Sequence, residues 1–111
     1  MRATIDVREE RGFFSVKWIV DCRVELTELE YAAIKHGQLG SETLYYDGPD
    51  DDKRRVTLSE VLGNGGVKTT WTTLSSAQRD RAFIEDQMLP KIKSLIVAGQ
   101  SVGNGPRVIE L

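Results

Sequence analysis

The sequence predicts an α+β domain: a curved, mostly antiparallel sheet with a long C-terminal helix packed on one face. Three observations predict it. An apolar/polar alternation runs from Phe13 to Leu26. A shorter alternation precedes it at Ala3, Ile5 and Val7. A helical apolar stripe, Ala77, Ile84, Met88, Ile92 and Leu95, lies near the C-terminus. The element order read from the chain is β-β-α-β-β-β-α-β.

The long alternation is the strongest signal. Phe14, Val16, Trp18, Val20, Cys22, Val24 and Leu26 form one face, and Phe13, Ser15, Lys17, Ile19, Asp21, Arg23 and Glu25 form the other. A period of two sustained this long marks a strand rather than a helix. Fully extended, such a strand spans about 45 Å. A domain of this size has a radius of gyration near 13 Å. The strand must therefore bend, carry a bulge or project. Ala3–Glu9 reaches only about its first half through the turn at Glu10-Arg11-Gly12. The second half, Val20 to Leu26, then needs a partner strand from later in the chain or from a second molecule.

Thr27 and Glu30 form a capping box, which predicts a helix from there to His36 with Gly37 as its stop. Glu42–Tyr46 reads as a short strand, and Asp47-Gly48-Pro49-Asp50-Asp51-Asp52 as a polar turn. Arg55–Leu62 and Val67–Thr73 read as a hairpin across Gly63-Asn64-Gly65-Gly66, because Asn-Gly tolerates positive φ. Ser59–Leu62 fits a helical turn as an alternative. Ser75 and Gln78 suggest a second capping box, opening a helix from Ser76 to Ala98 that stops at Gly99. Pro90 lies inside it and predicts a kink or break near Leu89. Gly99–Pro106 reads as a loop, and Val108, Ile109 and Leu111 as a terminal strand. No domain boundary or repeat is visible, so residues 1–111 form one domain.

Composition narrows the function classes. The 111 residues carry 15 basic and 17 acidic side chains, a net charge of −2, which gives no overall basic footprint for nucleic acid. One cysteine excludes an internal disulfide and a cysteine-rich zinc site. The first residues carry charges and do not read as a signal peptide. No apolar run approaches the roughly 20 residues of a membrane span, so a cytoplasmic location without membrane contact is expected.

Each candidate for chemistry has a plainer explanation beside it. His36, the only histidine, suits acid–base work, yet it sits where a helix-terminal histidine packs on Leu29 and Ala33. Cys22 falls in an apolar row, which predicts a buried, inert thiol. Asp47, Asp50, Asp51 and Asp52 lack the spacing of a calcium loop and precede Lys53, Arg54 and Arg55. Gly63-Asn64-Gly65-Gly66 and Gly103-Asn104-Gly105-Pro106 lack the helix start that phosphate loops need. Arg81 falls in the apolar arc of the long helix, where it needs a carboxylate or an exit to solvent.

The function expected from these absences is a non-catalytic binding or regulatory domain acting through protein contacts. A homodimer through a sheet edge is the expected assembly, and no cofactor or metal is expected. Two other classes stay open. Nucleic acid would use Arg54, Arg55 and Trp71, with Lys53, Lys68, Arg79 and Arg81 near them. A small-ligand binder or small enzyme would use His36 with Glu60 or Glu85. The residues singled out for binding are Trp71, Arg54, Arg55, Arg81 and His36.

Overall fold

A computed structural model describes residues 1–49 and 53–103. The elements are β1 (Arg2–Arg11), β2 (Val16–Glu25), α1 (Glu28–His36), β3 (Thr43–Asp47), β4 (Lys53–Thr57), α2 (Leu58–Gly63), β5 (Gly66–Trp71), α3 (Leu74–Phe83), a π-helical turn (Ile84–Met88) and α4 (Leu89–Gly103). The α+β class, the antiparallel pairing and the long C-terminal helix packed on the sheet are as expected. The strands form two sheets rather than one, β1-β2-β5 and β3-β4. Val108, Ile109 and Leu111 and the Asp50–Asp52 part of the acidic turn lie outside the described residues.

The long alternation divides differently from its pattern. Phe13 and Phe14 belong to the turn, which closes where the Gly12 N–H donates to Ser15 O at 2.8 Å. Starting the return strand at Val16 lets β1 pair β2 over its whole length, from Arg2↔Glu25 to Arg11↔Val16. β5 pairs the other side of β2, from Trp18↔Trp71 to Arg23↔Gly66. The second half of β2 therefore has partners on both sides within the chain. The one-to-one register leaves no bulge, so of the three ways to fit so long a strand the hairpin takes projection. Val20, Cys22 and Val24 are buried, whereas Val16, Lys17 and the tip are exposed. The molecule reaches 71 Å along its longest axis.

β5 can follow β2 this closely because Gly66 has no side chain. A Cβ there would lie 1.8 Å from the carbonyl oxygen of Cys22, and φ is +143°. The expected β4–β5 hairpin is absent for a related reason. Thr57 and Glu60 form a capping box that turns the chain into α2, and Asn64 ends that helix with φ −90°. The left-handed residue is Gly65, φ +72°, just past the helix end, where glycine meets no Cβ penalty. The Asn-Gly pair thus closes a helix instead of a hairpin.

The C-terminal helix starts earlier and runs further than the sequence suggests. Its cap is Thr73, whose hydroxyl accepts from the Ser76 N–H at 3.1 Å, and not Ser75 with Gln78. It does not stop at Gly99. That glycine is buried against α1, and a Cβ there would lie 2.4 Å from Ala33 O. Gly99 is therefore a helix-crossing contact. The break expected near Leu89 is replaced by the π turn, in which the Leu89 N–H donates to Ile84 O. Widening the turn just before Pro90 separates its ring from the preceding carbonyls, so the helix continues. It also corrects phase. Core residues Ile84, Met88, Ile92 and Ile96 recur every fourth position, which drifts about 40° per step on an ideal helix. One wide turn absorbs a step of that drift.

These helices close one core. Val20, Cys22 and Val24 of β2 pack with Ala77, Ile84, Met88, Ile92 and Ile96 of the long helix, with Leu44 and Tyr46 of β3 and with Leu58 and Val61 of α2. Each fully buried aliphatic side chain contributes roughly 1.5–3 kcal/mol. Among the described residues no helix is long and apolar enough to cross a membrane.

Candidate functional site

The two sheets leave a cleft of about 530 Å³ between β5 on one wall and β4 with α2 on the other. Val67, Val56, Val61, Tyr46 and Cys22 supply its apolar lining. Its charged lining is Arg23, Arg54, Arg55 and Lys68 against Asp21 and Glu60. Both carboxylates are already engaged. Asp21 lies 3.2 Å from Arg8 Nη1 and 3.7 Å from Arg23 Nη2. Its bond and that of Asp6 hold the Arg8 guanidinium above its usual range, Asp6 contributing first. Glu60 Oε2 accepts the Thr57 N–H at 3.0 Å as part of the α2 cap. Arg55 and Lys68 have no ion-pair partner among the described residues. The cleft therefore favours negative charge.

Arg54 and Trp71, expected to converge, do so. The Arg54 Cζ stands 5.0 Å from the Trp71 ring centroid, within cation–π range. At the N–H edge of the ring lies a further residue, not among those singled out in the sequence. Asp80 is fully buried, and its Oδ2 accepts from Thr69 Oγ1 at 2.5 Å and from Trp71 Nε1 at 3.1 Å. Trp71 Nε1 also donates to Thr69 Oγ1 at 3.0 Å. Trp71 is thus held at its polar edge and covered on one ring face, which makes it a structural anchor. Asp80 was legible as the position between Ala77 and Ile84 on the helical stripe. Arg81 was assigned to that arc instead. The structure puts Arg81 on the exposed side, bonded through Nε to Glu85 Oε1 at 3.0 Å.

The remaining candidates are not brought together. His36 is exposed at the end of α1, as is Leu29, so the packing expected on that residue is absent. No hydrogen bond or ion pair joins His36 to Glu60 or Glu85 among the described residues. Cys22 is buried, and desolvation first, with Asp21 and Glu85 adding to it, pushes its thiol up to about 11. A thiol in that range is protonated at neutral pH and supplies no nucleophile. Among the described residues no group of three histidine, cysteine or carboxylate side chains is placed to hold a metal ion.

The second feature is the hairpin tip. Phe13 and Phe14 are 94% and 95% exposed, and their rings meet edge to face at 4.9 Å. Val16 and Leu74, also exposed, belong to the same end of the sheet, because Trp18 and Trp71 are cross-strand partners there. Exposed apolar groups are thereby collected at one end of the molecule. Comparison with protein-family models, with curated proteins and with solved structures finds no match to this chain.

Proposed function

We propose that this chain is a non-catalytic protein-binding domain whose contact element is the β1–β2 hairpin, and that the partner it fits is a second copy of itself. The observation that carries this is the phenylalanine pair at the tip, almost wholly exposed. Burying each ring is worth roughly 1.5–3 kcal/mol, which the monomer leaves unclaimed.

The charge pattern of β1 supports a second copy. β1 is the outer edge of its sheet, and charges on an edge ordinarily oppose pairing. Here both signs interleave. In an antiparallel β1–β1 pair with the two-fold axis at Val7, Asp6 of each copy faces Arg8 of the other, and Thr4 faces Glu10. Moving the axis to Asp6, Arg8 or Glu9 sets a charge against itself, and moving it to Ile5 sets Arg2 against Arg8. Among registers that pair seven or more residues of β1, one is therefore selected. In it, the tip of each copy runs past Arg2 of the other toward the start of α1. Leu29 is 73% exposed there, next to Glu30, whose carboxylate holds the Met1 amine at 2.7 Å.

Sedimentation velocity tests the proposal. A dimer is expected at about 100 µM, with both the F13S/F14S double variant and L29S shifting it toward monomer. A chain that stays monomeric at that concentration overturns the proposal. The nucleic-acid alternative is favoured by one observation, the Arg54 guanidinium on the Trp71 ring beside a cleft that Arg55 also lines. It requires a mobility shift that weakens with salt and with R55E.

A further inference from the structure

We infer that the cleft between β5 and β4 receives an extended acidic peptide, which adds to β5 as a fourth strand of the sheet. β5 is the other edge of the β1-β2-β5 sheet, and it lines the cleft with Gly66, Val67, Lys68 and Thr69. In an antiparallel strand alternate residues turn both backbone N–H and C=O to the same side. The Val24 N–H donates to Gly65 O, so with the β2–β5 register the residues that turn away from β2 include Gly66 and Lys68, both of which line this cleft. The four residues of this edge that line the cleft, about 13 Å, offer two such pairs of groups to an incoming backbone. A volume of about 530 Å³ accommodates side chains of such a peptide.

The lining specifies the chemistry of the peptide. Lys68 lies on the face of β5 away from the helices, since its cross-strand partner is Asp21 while Thr69 pairs with the buried Val20. A peptide residue directly opposite Lys68 points to that same face. Arg23, at the next position along this face of β2, and Arg55, from the β4 wall, add positive charge. Glutamate or aspartate at that position therefore finds Lys68 with no competing ion pair among the described residues. Residues on the alternate side meet Val67, Val56 and Val61, which suits apolar side chains. Main-chain pairing with side-chain pockets on alternate residues is an established mode of peptide capture. The covered ring of Trp71 favours this occupant over stacked bases.

Fluorescence anisotropy with an array of labelled hexapeptides tests it. Three alternate positions are valine, isoleucine or tyrosine, and the other three are all glutamate, all lysine or all serine. The glutamate series should bind, at least about tenfold more tightly than the others. The R55E/K68E double variant should reverse that order, and its unchanged circular-dichroism melt shows that it folds. N-methylation of alternate peptide amides should abolish binding. Equal binding of the lysine or serine series, indifference to N-methylation, tighter binding of a single-stranded oligonucleotide, or no binding by any series overturns the inference.

Discussion

Replacing Gly99 by alanine separates two opposing effects on stability. Inside an exposed helix, glycine to alanine stabilises by about 1 kcal/mol, because glycine loses more backbone freedom on folding. At position 99 the new methyl would lie 2.4 Å from Ala33 O and 2.8 Å from Ala33 C. Both neighbours are backbone, so neither rotates aside. Reaching ordinary contact requires α1 and α4 to part by about 1 Å, which loosens the packing of Ile34 and Ile96 at a cost of roughly 2–3 kcal/mol. The net expectation is a loss of about 1–2 kcal/mol, or a melting temperature lower by roughly 4–10 °C. Urea titration followed by circular dichroism measures it. The neighbouring A98G variant, on the exposed side of the same turn, should lose about 1 kcal/mol with no clash involved. A G99A protein more stable than the parent would show that α1 and α4 do not cross at this residue.

Gln38 has φ +53°, where glycine carries no Cβ penalty, so Q38G should raise stability by about 0.5–1 kcal/mol in the same titration. Glu30 is held below the usual carboxylate range by hydrogen bonds from the Met1 amine and the Thr27 N–H, in that order. Its contribution is complete above its unfolded value of about 4.3 and is lost as pH falls through its lower folded value, so the melt of E30Q should depend less steeply on pH in that acid range. With its thiol near 11 and buried, Cys22 should resist iodoacetamide at pH 8 in the folded protein and react fully in urea, as a mass spectrum will show. Fast labelling without denaturant would contradict its place in the core.

What was legible in the sequence follows the range of the forces involved. The Thr27–Glu30 capping box is complete within four residues, so α1 was placed correctly. Thr57–Glu60 is the same motif, yet the period-two pattern around it suggested a strand. Asn64-Gly65 is ambiguous in principle, because a hairpin turn and a helix end use the same positive-φ glycine. The turn at Phe13-Phe14 was hidden because Phe14 and Val16 keep the parity of the strand that follows. On the long helix, one residue of phase decides whether position 80 or 81 faces the core, and the π turn shifts that phase. The cleft depends on which strand lies beside β2, a choice made by the absent Cβ of Gly66 and not by any local pattern. Arg54 and Arg55, singled out in the sequence, do line that cleft, since a basic pair on a short strand keeps its charge wherever the strand goes.

The two edges of the β1-β2-β5 sheet are managed in different ways, and this links the two proposed contacts. β1 is long, open to solvent and patterned with both signs of charge; β5 is short and faced by the wall of β4 and α2. Pairing through β1 would leave both β5 edges untouched. The joined sheet would then run β5-β2-β1-β1-β2-β5, with its two clefts at opposite ends. Five inter-strand spacings separate them, about 24 Å before twist is counted. Such a dimer would be a bivalent reader of acidic segments, and a partner carrying two such segments on a linker able to span that distance would gain avidity that a monomer lacks. The hairpin tip would then matter to peptide capture without touching the peptide. F13S/F14S should leave single hexapeptides bound as before and weaken only a tandem pair, whereas R55E/K68E should weaken both.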